Sequence, residues 1–216
     1  MTYAELKTEI ANFLNRSDLT SQMDFFIDQT EAELNRRLRV STMVKRATAT
    51  ASGQYITVPT DWLEAINIVL TGSPYSPLFQ LSIESMDVYR KSINSATGSP
   101  VYFAMVDDTI ELCPAPDTDR EVELTYYAKI TALSDSNTTN FLSTGSPDVY
   151  LYGCLKNASV YLMEDERALM FHAAFEKGIE ELRMQSEKAE FAKGSLIPRR
   201  RTYGKVRKRV YYWGNN

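Results

Sequence analysis

The chain has 216 residues, 44% of them hydrophobic and 24% charged, a composition typical of a globular protein with a core of its own. Eight of its 24 basic residues and none of its 28 acidic residues lie in 193–216. The remaining 16 basic and 28 acidic residues give segment 1–192 a net charge of −12, so an acidic body precedes a tail of +8.

The pattern of apolar residues excludes two classes of segment. No run approaches the roughly 18 apolar residues of a membrane-spanning helix. The polar, acidic start M-T-Y-A-E-L-K-T-E-I does not have the pattern of a secretory signal. We therefore expect synthesis in the cytoplasm. In that reducing compartment Cys113 and Cys154, which lack metal-type spacing, are predicted to be free buried thiols, with a disulfide as the alternative.

Two amphipathic helices are predicted at the start of the chain. Thr2 and Glu5 form a capping box ahead of the first helix. The second is predicted from about Thr20 to Leu38, with apolar residues on one face. Three arginines at its end suit the negative end of the helix dipole, and a basic groove is the alternative interpretation; these residues are Arg36, Arg37 and Arg39.

From Thr42 the apolar period becomes alternating, which predicts β-strands. The strand-length segments are Arg46–Thr50, Tyr55–Val58, Ala65–Leu70, Pro77–Leu81, Val101–Met105, Thr109–Cys113 and Glu121–Tyr127. A short helix over Ser82–Ser92 interrupts them. Asp107-Asp108 is predicted to form a hairpin turn, with a catalytic or metal-binding carboxylate pair as the alternative.

Helical periodicity returns at Ser146, a predicted cap followed by Pro147 at the first helical position. A second helix is predicted to run to about Ala192. Gly178 inside it indicates a close approach to a neighbouring helix, because glycine otherwise costs about 1 kcal/mol there. The apolar stripes of the two helices are Leu151, Leu155, Ala158 and Leu162 in the first, and Phe171, Phe175, Ile179 and Leu182 in the second.

These elements predict an α+β fold. We expect a discontinuous antiparallel helical bundle built from residues 1–42 and 146–192. An inserted antiparallel β domain, a small sandwich or open barrel, occupies 43–135. Residues 136–145 form a connecting loop, and 193–216 form an extended basic and aromatic C-terminal arm.

The sequence does not contain a recognisable catalytic or cofactor motif. His172 is the only histidine, which excludes a two-histidine relay. Its spacing predicts a place beside the helix core, with a catalytic role as the alternative interpretation. Phosphate loops, nucleophile elbows and metal-binding helix motifs are absent from the sequence. Four glutamates of the last helix are predicted to form a solvated face, with a glycosidase pair among the acids as the alternative; they are Glu180, Glu181, Glu187 and Glu190. We predict no enzyme, no cofactor and no metal.

Several stretches, in this order, resemble the head-to-tail adaptor proteins of short-tailed bacteriophages, the family that includes the tail tubular A type. The N-terminal helix pair is similar to that family's opening, and the hairpin from Ser146-Pro147 to its last helices. The intervening stretches are Val58-Pro59-Thr60-Asp61-Trp62-Leu63, Ser99-Pro100-Val101-Tyr102, Ile110-Glu111-Leu112-Cys113-Pro114-Ala115-Pro116-Asp117 and Leu124-Thr125-Tyr126-Tyr127-Ala128.

The resemblance implies a structural protein of the virion, placed at the head–tail interface. Such adaptors form a ring, usually of twelve copies, beneath the portal protein. The ring continues the channel through which genomic DNA passes and gives the tail nozzle protein a platform. The implied partners are the portal, neighbouring adaptor subunits and the nozzle, without a membrane and without sequence-specific DNA contact.

The C-terminal arm is the predicted portal-binding segment, because the resemblance implies an arm that reaches into the portal. Aromatic residues and arginine are enriched among interface anchors. The candidate residues are Arg199, Arg200, Arg201, Tyr203, Lys205, Arg207, Lys208, Arg209, Tyr211, Tyr212 and Trp213. The alternatives are a nucleic-acid clamp, in which the basic residues neutralise phosphates and the aromatics stack, and a solubilising tail. A tail-associated hydrolase is a further alternative.

Overall fold

The computed structural model describes residues 1–72 and 75–191, and in these ranges the fold is α+β, as predicted. Six α-helices are present there. Their bounds are α1 Tyr3–Leu14, α2 Met23–Arg37, α3 Ile83–Ser92, α4 Phe141–Gly145, α5 Pro147–Tyr161 and α6 Asp165–Phe191. Short 3₁₀ turns, Thr20–Gln22 and Ser41–Met43, precede α2 and the first strand. None of the helices in the described ranges has the length and apolar character that a membrane crossing requires.

Local side-chain chemistry sets the helix ends. The predicted capping box of α1 is confirmed: the Thr2 side chain accepts from the Glu5 amide, and the Glu5 carboxylate accepts from the Thr2 amide at 2.8 Å. Ser82 caps α3 by accepting the Ser85 amide. Ser146 does stand before Pro147, but among the described residues its side chain makes no capping hydrogen bond. Its amide instead closes α4 by donating to the Leu142 carbonyl.

The strand bounds are β1 Val44–Ala51, β2 Tyr55–Thr57, β3 Trp62–Leu70, β4 Ser76–Pro77, β5 Phe79–Gln80, β6 Thr97–Gly98, β7 Tyr102–Val106, β8 Thr109–Cys113, β9 Ala115–Pro116 and β10 Arg120–Ala128. Two four-stranded sheets have the orders β1-β10-β3-β4 and β2-β8-β7-β5, and β6 and β9 form a third, two-stranded sheet. The long pairs are antiparallel, as predicted. The short pairs β5–β7 and β6–β9 are parallel, which the sequence analysis did not anticipate.

The segment predicted as one strand over Pro77–Leu81 divides between the two sheets. Pro77 pairs with β3 in the first sheet, and Phe79 pairs with β7 in the second. Leu78 between them is buried in the apolar core that the sheets share. The prediction of one continuous strand was therefore wrong, because successive residues of this short segment pair with strands of two different sheets, antiparallel with β3 and parallel with β7.

Two large apolar cores hold the described residues together, and a smaller cluster of Met86, Ala104 and Cys113 joins α3 to β7 and β8. The first lies among the helices and includes Leu6, Ile10, Phe26, Leu34, Leu155 and Phe175. The second lies between the two four-stranded sheets and includes Ile56, Ile68, Phe103, Leu112, Val122 and Leu124. Cys113 and Cys154 are both free and buried, so the free-thiol prediction is confirmed. Burial raises the pKa of the Cys154 thiol to about 12.

Glycine allows close contact where α2, α5 and α6 meet. A Cβ on Gly178 would stand 2.8 Å from Val149 Cγ2, which confirms the predicted close approach of α6 to α5. A Cβ on Gly153 would stand only 2.4 Å from Thr30 Cγ2 and 3.0 Å from Phe175 Cε2. Because real Cβ atoms do not reach such distances, this packing of three helices requires glycine at 153.

Candidate interaction surfaces

The predicted portal-binding residues lie outside the described ranges. All eleven, from Arg199 to Trp213, follow Phe191, the last described residue. The prediction for the arm is therefore untested. The surfaces that the structure does show belong to the body of the protein.

The arginines at the end of α2 are confirmed as helix-terminal groups. Nη1 of Arg39 donates to the Asn35 and Leu38 carbonyls at 2.8 and 2.7 Å. Arg183 of α6 donates to the Arg37 carbonyl at 2.8 Å. These contacts satisfy carbonyls that the end of a helix leaves without intrahelical partners.

Arg37 also forms a two-pronged ion pair with Glu176 of α6. That guanidinium holds the pKa of the Glu176 carboxyl below its usual range. The positive charge of Arg37 is thus paired with Glu176 of α6, whereas an anion bound in a basic groove would need that charge. Contacts at the negative end of the α2 dipole therefore explain these arginines better than a basic groove does.

A buried carboxylate joins α2 to the segment that leaves the β-sheets. Oε1 of Glu31, a residue only 5% exposed, accepts the Leu133 amide at 2.8 Å and the Tyr150 hydroxyl at 3.0 Å. Burial raises the pKa of Glu31, although both hydrogen bonds oppose the shift. Asn140 donates to the Tyr150 hydroxyl at 2.7 Å and thereby fixes the start of α4.

Replacing Glu31 by glutamine removes the charge and keeps an oxygen that can accept both hydrogen bonds. Because the folded pKa is raised, proton binding stabilises the folded state fully below the ordinary value of 4.5, and this contribution is lost as pH rises through the folded pKa. We expect the parent protein to lose free energy of unfolding relative to Glu31→Gln between about pH 4 and pH 7. Urea unfolding at both pH values measures this difference. An equal difference at both would contradict it.

The stretch Val58–Leu63, one of those that carry the family resemblance, has a structural role at the junction of the two large cores. Asp61 accepts the Tyr126 hydroxyl at 2.8 Å and the Lys45 ammonium at 2.7 Å. Its carbonyl accepts the Lys129 amide at 2.6 Å, and so ties the start of β3 to β1 and to the end of β10. Trp62 packs on the core between the sheets, and Leu63 packs on the helical core.

The remaining predicted sites also have structural explanations. Asp107 has a φ of 52°, in the left-handed region that turn residues adopt, between the antiparallel strands β7 and β8. His172 is exposed, with Nδ1 3.8 Å from Glu176 Oε1. Within 1–72 and 75–191, no three His, Cys, Asp or Glu side chains stand together as a metal site. The left-handed φ of Asp107 between β7 and β8 fits the predicted hairpin turn.

An exposed apolar surface lies at the turn between α5 and α6. We call it the tip patch; its residues are Phe13, Val160, Tyr161, Met163, Leu169 and Met170. Met163 in the turn is 87% exposed and Leu169 is 71% exposed. Val160 and Leu169 line one depression of about 440 Å³, and Arg167 joins the start of α6 to the Phe13 carbonyl at 3.0 Å. Several exposed apolar side chains at one turn are typical of protein-binding sites.

A second apolar feature lies near the other end of α6. We call it the foot groove; it has a volume of about 250 Å³ between α6, α4 and the 3₁₀ turn before β1. Leu182, Ser186 and Ala189 of α6 form one wall of the groove. Val40, Phe141 and Leu142 contribute apolar side chains to the others.

Comparison with protein families gives one decisive result. The family model described as SU10 adaptor protein matches residues 1–199. The chain belongs to the SU10 adaptor protein family. This is a family of bacteriophage structural proteins, which confirms the adaptor class predicted from the sequence. No curated protein matches the chain.

The SU10 adaptor match covers all of the described body. It ends at Arg199, so most of the basic arm lies beyond it. The features of the body that the sequence analysis missed in this adaptor are Glu31 and the tip patch. Glu31 follows Ile27 by four residues and precedes Leu34 by three, so its place in an apolar stripe was the available signal for its burial. The tip patch had no such signal, because the sequence alone does not show which apolar side chains remain exposed in the folded protein.

Proposed function

We propose that this SU10 adaptor joins the phage head to the tail. In this proposal, twelve copies form a ring on the portal, the ring continues the DNA channel, and its far side attaches the tail nozzle protein. Residues 1–42 and 146–192 form the helical bundle of each subunit, and 43–135 form a β lobe inserted in it. The observation that supports the proposal most strongly is the family match over 1–199.

The basic and aromatic arm is the proposed portal-binding segment. It holds eight basic and no acidic residues in 193–216, after a body of net charge −12. Charges of this kind steer and orient docking, whereas the tyrosines and Trp213 would supply the buried anchors. Repetition of modest contacts around a ring raises the overall affinity through effective concentration.

Phage particles made without this chain test the adaptor role. We expect DNA-filled heads and separate tail components that do not join, and we expect joining to be restored when the purified chain is added. Electron microscopy of the particles shows both outcomes. Complete tailed particles formed without the chain would contradict the proposal.

The tip patch supports an assembly role, and its contribution can be tested separately. Leu169→Glu with Met170→Glu places two charges on an exposed surface, so we expect the stability of the subunit to change by no more than about 0.5 kcal/mol. Joining of heads to tails should fall, because a charged pair cannot be buried against a partner without a large cost. Val88→Glu is the matched control, since Val88 is 70% exposed on α3, away from the patch. Normal joining by the double variant would remove the tip patch from the proposal.

The charge of the arm favours a second candidate function, binding of DNA as it passes. Six to eight phosphate contacts would make the logarithm of the binding constant fall with the logarithm of salt concentration, with a slope of about −5 to −7. A titration of duplex DNA with the isolated subunit at several salt concentrations measures that slope. No binding at low salt would remove this candidate and leave portal docking in place.

A further inference from the structure

The foot groove is an apolar surface suited to aliphatic side chains. Its one well-buried polar wall residue, Ser186, already accepts the Ser41 amide at 2.8 Å. The other wall groups of α6 and α4 include Leu182, Ala189 and Phe141. A cavity of roughly 150 Å³ with aliphatic and aromatic walls is large enough for a benzene-sized group. The 250 Å³ of the groove therefore accommodates one or two branched aliphatic side chains.

The groove opens beside the point where the chain leaves the described body. Ala189, at its end, is two residues before Phe191, the last described residue. From Leu182 to Ala189 the groove follows α6 for seven residues, about 10 Å at 1.5 Å per residue. Whatever the chain contains directly after α6 is thus the nearest available occupant.

The sequence after α6 contains one adjacent aliphatic pair within reach. Leu196-Ile197 is the only pair of neighbouring aliphatic residues in 193–216, and Gly194 before it permits a reversal of direction. Leu196 is the fifth residue after Phe191, and an extended chain covers at most roughly 17 Å over those five steps. This reach is longer than the groove. The pair of the same chain can therefore reach the part of the groove beside Ala189.

We propose that Leu196-Ile197 of the same subunit occupies the foot groove. The pair buries its side chains against Leu182, Ala189 and Phe141. The folded body of the subunit then extends to Pro198. The arm proper, residues 199–216, then leaves each subunit from a fixed point beside the foot groove. This consequence for the arm rests on the proposed function; the occupation of the groove does not.

Partial trypsin digestion of the isolated subunit tests the proposal without a portal. Cleavage after Lys193 requires 194–198 to be free, whereas cleavage after Arg199, Arg200 and Arg201 does not. In the parent protein we expect cleavage after Lys193 to be at least about tenfold slower than cleavage at the three arginines, because protection follows the population of the open form. Mass spectrometry of the fragments separates the two rates.

Two kinds of variant make the test specific. Leu196→Ser with Ile197→Ser should accelerate cleavage after Lys193 about tenfold and leave cleavage at the arginines unchanged. Ala189→Phe should give the same acceleration by filling the groove from its wall, with the tail unchanged. Val206→Ser with Val210→Ser is the matched control in the arm, and it should leave the Lys193 rate as in the parent protein.

Three outcomes would overturn the proposal. Equal cleavage rates at Lys193 and at the arginines in the parent protein would show that the pair does not occupy the groove. No effect of Ala189→Phe would show that the groove is not the protecting surface. Protection that increases with protein concentration would assign the groove to the pair of a neighbouring copy. In none of these cases is portal docking tested, so it would stand or fall by the experiments with the virion proteins.

Discussion

Removal of residues 194–216 is expected to abolish binding of the subunit to isolated portal rings while leaving its body folded. The three buried apolar clusters of the described residues consist of side chains between Tyr3 and Ile179, so the truncation does not remove any of their members. The truncated chain loses seven of its basic residues, together with Trp213 and three tyrosines. Co-sedimentation with portal rings measures the loss, which we expect to be at least about a hundredfold in affinity because several interface anchors disappear together.

A shorter truncation separates the arm from the segment next to α6. Removal of 199–216 leaves Leu196-Ile197 in place, and it should abolish portal binding to the same extent. Circular dichroism of both truncated chains should match that of the full chain in helix content. The chain that ends at Pro198 should also keep its unfolding temperature, whereas the chain without 194–216 should lose the small contribution of Leu196-Ile197. Portal binding by the chain that ends at Pro198 would contradict the role given to the arm, whatever occupies the foot groove.

Gly153→Ala is expected to be the most destabilising single methyl addition in the helical core. The added Cβ would stand 2.4 Å from Thr30 Cγ2 and 3.0 Å from Phe175 Cε2, so α2 or α6 must move. Such overpacking costs about 1–3 kcal/mol. Urea unfolding measures the free energy, and thermal unfolding should show a fall of about 2–4 °C for each kcal/mol in a chain of this length.

A second substitution identifies the contact that is responsible. Thr30→Ser removes Cγ2 and keeps the hydroxyl that donates to the Phe26 carbonyl at 2.8 Å. In the double variant Thr30→Ser with Gly153→Ala we expect about half of the lost free energy to return, since the contact with Phe175 remains. Gly53→Ala is the control: among the described residues, no atom lies within 4 Å of its added Cβ. Strictly additive effects of the two substitutions would show that Thr30 is not the obstacle.

The elements that the sequence predicted well are those with a strong local pattern. β8, Thr109–Cys113, has the predicted bounds because turn residues precede it and alternation runs through it. α6 follows its apolar stripe of Phe171, Phe175 and Ile179, all of them buried. Periodicity and capping are properties of neighbouring residues, so a single sequence contains the information that specifies them.

The elements that the sequence missed depend on distant partners. α4, Phe141–Gly145, lies in the predicted connecting loop, because five residues are too few to show a helical period. It forms because Asn140 accepts the Leu142 and Ser143 amides and Leu142 enters the helical core. The parallel pairing of β5 with β7 likewise depends on residues more than twenty positions apart.

The candidate surfaces also differ in whether the sequence alone predicts them. Charge and composition were enough to single out the arm, whose role stays a prediction. The tip patch and the foot groove required the folded chain, because each is assembled from separate elements. Phe13 joins the tip patch from α1, and Leu182 reaches the foot groove from α6, although neither residue has a distinctive local sequence.

The mass that this protein adds to isolated portal rings tests the account most directly. Native mass spectrometry of portal rings with increasing amounts of the full chain should show saturation at twelve added subunits of 24.6 kDa each. The chain truncated after Pro198 should add none. Portal rings that keep their own mass at every concentration of the full chain would contradict the proposal that this protein is a portal-bound adaptor.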